Sequence, residues 1–208
     1  MVVIAKETVG NIPLLHAVDE HKQYDKLPLI IFIHGYESIK ERNVQYAYML
    51  AEKGYRVLLP EVIEHGERGS GQVNPANFWK FVLTTIKELP LIMDEYASKG
   101  LVDEKRIGLA GTSMGAIITL GAMTQYDWIR VGVSLMGSPA YMDFARYQLK
   151  AMEQQGVKLS FTEEQLEKQL DMLRPFDATV NIEQFETRPL LFWHGAKDVI
   201  LQAGVYFL

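Results

Sequence analysis

Arg106-Ile107-Gly108-Leu109-Ala110-Gly111-Thr112-Ser113-Met114-Gly115 leads from one short apolar run into a second, Ala116 to Gln125, with glycines two before and two after a single serine. The first run has the make-up of a buried strand and the second the length of a helix. A serine so bracketed on a strand-to-helix turn is the pattern of a nucleophile elbow. The turn forces strained backbone angles on the serine and brings strand and helix so close that only glycine fits on either side. Ser113 therefore reads as a nucleophile presented above a sheet edge. The Met114 amide, at the positive end of the helix, reads as one donor to a developing oxyanion. The plain alternative is a glycine-rich turn with an incidental serine, and the strand-before, helix-after context speaks against it.

Outward from this turn, short β-rich runs alternate with longer helical ones, which predicts crossover units around a mostly parallel sheet. The candidate strands are 2–5, 13–18, 29–34, 55–59, 106–110, 131–136 and 189–193. The first two, joined through Gly10-Asn11, read as an antiparallel hairpin. Helices are expected over 41–53, over 77–99 with a break or kink at Pro90, and over 114–125, with Gly54 and Gly100 as stops. Residues 137–188 lack a strand signal but show helical spacing at 144–153 and 162–173, with Thr162 and Gln165 spaced as a capping box. This segment reads as a helical cap inserted in one domain spanning 1–208. Such an insertion would lie over the crevice at the carboxyl ends of the strands and shape a pocket there.

Composition sets the outer bounds. The 208 residues are 48% hydrophobic and 23% charged, ordinary for one globular domain. A net charge of −5 argues against nucleic acid or an anionic membrane as partner, and leaves small molecules. The absence of cysteine removes disulfides, thiolate metal sites and cysteine nucleophiles, and favours a reducing compartment, so a cytoplasmic protein is expected. The amino terminus carries no secretion signal pattern. Ile107 to Tyr126 is uncharged and long enough to cross a bilayer, but its glycines and the Thr-Ser pair mark it as a core strand and helix. No histidine spacing suits a metal site.

Two further strands end in His-Gly. After Ile31-Phe32-Ile33 come His34-Gly35-Tyr36, where the glycine lets the backbone approach an oxyanion and the Tyr36 amide reads as the second donor. The His34 side chain reads as a loop-fixing group, and His34, Gly35 and His65 are the candidates for lining the substrate pocket. Phe192-Trp193-His194-Gly195-Ala196-Lys197-Asp198 places an acid shortly after a strand, and Asp198 is the candidate for orienting a catalytic histidine. The order Ser then Asp fits the hydrolase arrangement. His65 follows the strand beside His34 and reads as pocket-lining; as a general base it lacks an obvious carboxylate partner. His16 and His21 read as surface residues.

On His34-Gly35-Tyr36, the stretch Val102 to Gly115, and Trp193-His194-Gly195 with Asp198, the chain resembles bacterial α/β-hydrolase esterases of the dienelactone-hydrolase and prolyl-oligopeptidase-related group. The resemblance implies an eight-stranded α/β-hydrolase sheet, no cofactor, and hydrolysis of small carboxylic esters through an acyl-enzyme on Ser113. It also implies a general-base histidine some thirty to fifty residues past the acid. Here the ten residues after Asp198 contain none. The expectation is an incomplete triad and a nearly inactive polypeptide. The apolar ending Val205-Tyr206-Phe207-Leu208 reads as an interruption that removes the last strand and helix, with marginal stability or association as the result. A non-catalytic relative that binds a small ligand or partner, a peptidase and an acyltransferase are the alternatives on the same elbow.

Overall fold

The seven apolar runs become the seven strands of one sheet in a computed structural model, which describes residues 1–154, 156, 162–185 and 187–196. In chain order these are β1 (Val2–Val9), β2 (Ile12–Asp19), β3 (Leu27–Ile33), β4 (Arg56–Pro60), β5 (Val102–Thr112), β6 (Val131–Leu135) and β7 (Leu190–Trp193). Their order across the sheet is β1-β2-β4-β3-β5-β6-β7. β1 and β2 form the expected hairpin, and β2 runs antiparallel to β4; every other pairing is parallel. Parallel strands need both faces covered, and the apolar runs at β3, β4 and β5 are buried accordingly.

Helices follow the strands. They are α1 (Val44–Glu52), α2 (Phe78–Ser98), α3 (Met114–Met123), α4 (Tyr141–Gln154) and α5 (Glu163–Asp171). α2 and α3 supply the core on one face, and α1 packs Ala47 and Ala51 against Ala17, Phe32, Val57, Leu59 and Ala110 on the other. All ten residues of α3 are buried, which is why Ile107 to Tyr126 carries no charge: it is β5 running into a helix enclosed between the sheet and α2. No helix among the described residues is long and apolar enough to cross a membrane.

Three expectations are corrected. The first helix is split: residues Lys40–Asn43 form a 3₁₀ turn and α1 begins only at Val44, because Lys40 and Asn43 are drawn into the interior. α2 runs through Pro90 without a break; Ile86, Leu89 and Ile92 are all buried, and their packing outweighs the missing proline N–H. β5 starts at Val102, four residues early. Its ladder with β3 skips from Leu27↔Val102 to Leu29↔Ile107, and the polar stretch between bulges outward, held by Arg106 Nε on Asp103 Oδ2 at 2.7 Å. Between β6 and β7 the structure has α4 and α5, and the capping box of Thr162 and Gln165 is formed in full.

Candidate active site

The elbow forms where the sequence predicts it. β5 ends at Thr112, α3 begins at Met114, and Ser113 between them has φ 53° and ψ −115°. A serine at positive φ is strained, and the bend is held by Ser113 N–H donating to the Leu135 carbonyl of β6 at 2.8 Å. Both glycines are required by space. A Cβ on Gly111 would collide with the Gly115 carbonyl, and one on Gly115 would collide with the carbonyls of Ile33 and His34. The second collision shows how closely α3 approaches the end of β3.

That approach brings the two oxyanion candidates together. Gly35 sits over the elbow so tightly that a Cβ there would lie 3.4 Å from Ser113 Cβ and 3.3 Å from the Thr112 carbonyl oxygen. Tyr36 follows at once. Met114 is the first residue of α3, where the amide has no intrahelical acceptor; the Ser113 carbonyl instead takes the N–H groups of Ala116 and Ile117. Ser113 itself is partly exposed and its side chain does not cap the helix. Ser113, Met114, Gly35 and Tyr36 therefore share one corner of the molecule.

His34 and His65 stand beneath this corner, their ring centroids 5.3 Å apart and both rings buried. His34 Nδ1 donates to the Gly35 carbonyl at 2.8 Å, and its Nε2 lies 3.1 Å from both the Val62 amide and Glu61 Oε1. His65 Nδ1 donates to the Ile63 carbonyl at 2.9 Å while Nε2 accepts the Glu37 amide at 3.3 Å. Burial pushes the His65 pKa down, only partly countered by the bond to Ile63, so the ring is neutral at pH 7. Tyr36 packs against His65, Phe78 and Phe81, and Phe78 continues the aromatic wall to Trp79 and Phe144. Burial and the Glu37 charge raise the Tyr36 phenol.

Two groups here escaped the sequence reading. Glu61 and Lys40 are almost wholly buried and joined at 2.8 Å. Burial raises the Glu61 pKa, and the hydrogen bonds from His34 and Lys40 more than reverse this, leaving it at about 2. Burial lowers the Lys40 pKa, and Glu61, Glu67 and Glu41 together drive it well above the usual lysine value. The available signal was an acid directly after the buried run Arg56–Pro60. His16 is a correction: it is buried, its Nδ1 on Glu7 at 2.7 Å and its Nε2 accepting from Arg56 at 2.6 Å, because the β1–β2 hairpin is covered by Tyr96 of α2. Asp198 lies outside the described residues.

Comparison with known proteins agrees with this fold. "Putative esterase YitV" of Bacillus subtilis (strain 168) is 46% identical over 204 residues, covering 97% of this chain and 80% of that protein. "Esterase YjfP" of Escherichia coli (strain K12) is 29% identical over 205 residues, covering 98% and 81%. Among solved structures, TT1662 from Thermus thermophilus superposes with a TM-score of 0.71 at 20% identity, over 96% of this chain and 77% of that one, so the fold is shared. The profile of the prolyl oligopeptidase family matches residues 42–204, a span that contains β4 to β7 and the whole elbow. With that strand order and that turn, the chain is an α/β-hydrolase-fold hydrolase and belongs to the prolyl oligopeptidase family.

Proposed function

We propose that the protein is a serine carboxylesterase acting on small carboxylic esters, with Ser113 as nucleophile. The observation that carries this is the strained, partly exposed Ser113 at φ 53°, packed against Gly35 and set at the open amino end of α3. Ser113 Oγ attacks the ester carbonyl, the carbonyl oxygen becomes an oxyanion between the Tyr36 and Met114 amides, and collapse expels the alcohol to leave an acyl-enzyme. Loss of one such donor costs about 3–4 kcal/mol of barrier. The aromatic wall from Tyr36 to Phe144 supports an apolar acyl group. Asp198, by its position after the β7 strand, is the acid that would orient a catalytic histidine.

His16, His34 and His65 have both ring nitrogens engaged, so none of these three buried rings is free to serve as the general base. The test joins two measurements. A fluorophosphonate is expected to add one adduct, found by intact mass, that Ser113→Ala abolishes; no adduct on the wild type sinks the esterase reading and leaves a non-catalytic ligand binder. Turnover of p-nitrophenyl acetate is expected to be lost in Ser113→Ala, and an inflection near pH 6–7 in the wild-type profile would reveal a working histidine base.

A further inference from the structure

The segment that carries Tyr36 is braced from inside by a carboxylate that the reaction itself does not consume. Glu61 follows β4 and is 1% exposed. Its Oε1 accepts the Lys40 main-chain N–H at 3.1 Å and lies 3.1 Å from His34 Nε2. Its Oε2 accepts from Lys40 Nζ at 2.8 Å and from the Glu67 amide at 3.5 Å. One side chain thus holds the Lys40 end of the stretch by two hydrogen bonds and lies against the His34 ring at its other end. Inside the stretch, Gly35 rests on Ser113, and Glu37, at φ 56°, gives its N–H to His65.

The surroundings are built for this carboxylate. A Cβ on Gly66 would collide with the Glu61 carboxyl group, so glycine there leaves it room. Arg68 donates to the Glu61 main-chain carbonyl at 3.0 Å and forks onto Glu88 of α2 at 2.8 and 2.7 Å, fixing the backbone from which Glu61 projects. The Lys40 ammonium is completed by Glu67 at 2.5 Å and Glu41 at 2.9 Å. A carboxylate withdrawn from water is costly unless every lone pair is used, and a loop with only a connecting role has no need of one.

We propose that Glu61 is a positioning residue, which holds the segment 34–40 so that the Tyr36 N–H faces the oxygen of a tetrahedral adduct on Ser113. The proposal rests on the roles given above to Ser113 and Tyr36. Glu61 touches no substrate; it acts through His34 and Lys40, and with its pKa held near 2 it stays charged across the neutral range.

The test compares a p-nitrophenyl alkylphosphonate with its P=S analogue. In each, Ser113 Oγ bonds to phosphorus, p-nitrophenolate leaves and the hydroxyl proton passes to solvent. Sulfur accepts amide hydrogen bonds poorly, so the P=O over P=S rate ratio reads the oxyanion donors directly. Glu61→Gln is expected to lower that ratio about tenfold or more while leaving the P=S rate near the wild-type value. An unchanged ratio, or an equal fall in both rates, overturns the proposal, since a merely structural role would move both compounds together. If the wild type reacts with neither compound, the Ser113 reading falls and the proposal with it. Should Glu61→Gln fail to fold by circular dichroism, Lys40→Gln, which releases the same carboxylate from its clamp, is read by the same ratio.

Discussion

At position 113 the backbone is bent into a region that L-residues avoid, with φ 53° and ψ −115°, and the surrounding hydrogen bonds hold it there. Such strain costs on the order of 1–3 kcal/mol. Ser113→Gly is therefore expected to raise the melting temperature by about 2–4 °C for each kcal/mol released, as scanning calorimetry would show, while removing the fluorophosphonate adduct. The opposite is expected at Gly115. An alanine there meets the carbonyls of Ile33 and His34, which belong to the central strand and its exit and do not yield, so Gly115→Ala should cost at least about 3 kcal/mol in urea denaturation. These glycines were legible in the sequence because so tight a strand-to-helix turn states its own steric demand within five residues. Glu61, Lys40 and His16 were not. Each looks like a surface side chain when read locally, and each is buried by elements that lie far along the chain: Glu61 by Lys40 and His34, His16 by Arg56 and Tyr96.

Elements were easier to read than their ends. All seven strands lie where apolar β-rich runs occur, because the sheet is mostly parallel and its strands need continuous apolar sequence. The ends depended on packing that propensity does not carry, as at Pro90 and in the outward bulge between Val102 and Ile107. Pro90→Ala restores an N–H to the Ile86 carbonyl inside a helix that is already continuous, and is expected to stabilise by about 1–3 kcal/mol in the same urea assay. The hairpin carries a pH dependence. His16 joins β2 to Glu7 of β1 and Arg56 of β4, and Glu7 also accepts from Tyr96 of α2 at 2.7 Å. Burial lowers the His16 pKa more than Glu7 raises it, as burial does for His65. Folded values below 6.5 mean that these rings contribute stability fully above pH 6.5, and that it is lost as pH falls through the folded values. Glu61 adds a second loss between pH 4.5 and about 2. The urea midpoint should fall in both windows, and His16→Gln should flatten the first.

Among the described residues, one sheet face is well covered and the other only in part. α1 packs at the β2–β4–β3 side, and beside it a groove of about 380 Å³ runs over Ile30, Phe32, Ala110, Val131, Val133 and Leu135. At the far edge Leu191 and Trp193 of β7, on the same face, are each 57% exposed. Apolar surface of this kind binds the dye ANS, and Leu191→Lys with Trp193→Lys is expected to lower that fluorescence without loss of far-ultraviolet circular dichroism; an unchanged signal would place the dye elsewhere. The sheet order β1-β2-β4-β3-β5-β6-β7 also governs how the protein emerges during synthesis. β2 has no inner neighbour until β4 has left the ribosome, and β3 has none on its other side until residues as late as Thr112 follow. A nascent chain of some hundred residues thus carries the greasy Leu29–Ile33 segment half-paired for much of its translation, and its open edge is satisfied only when β5 follows.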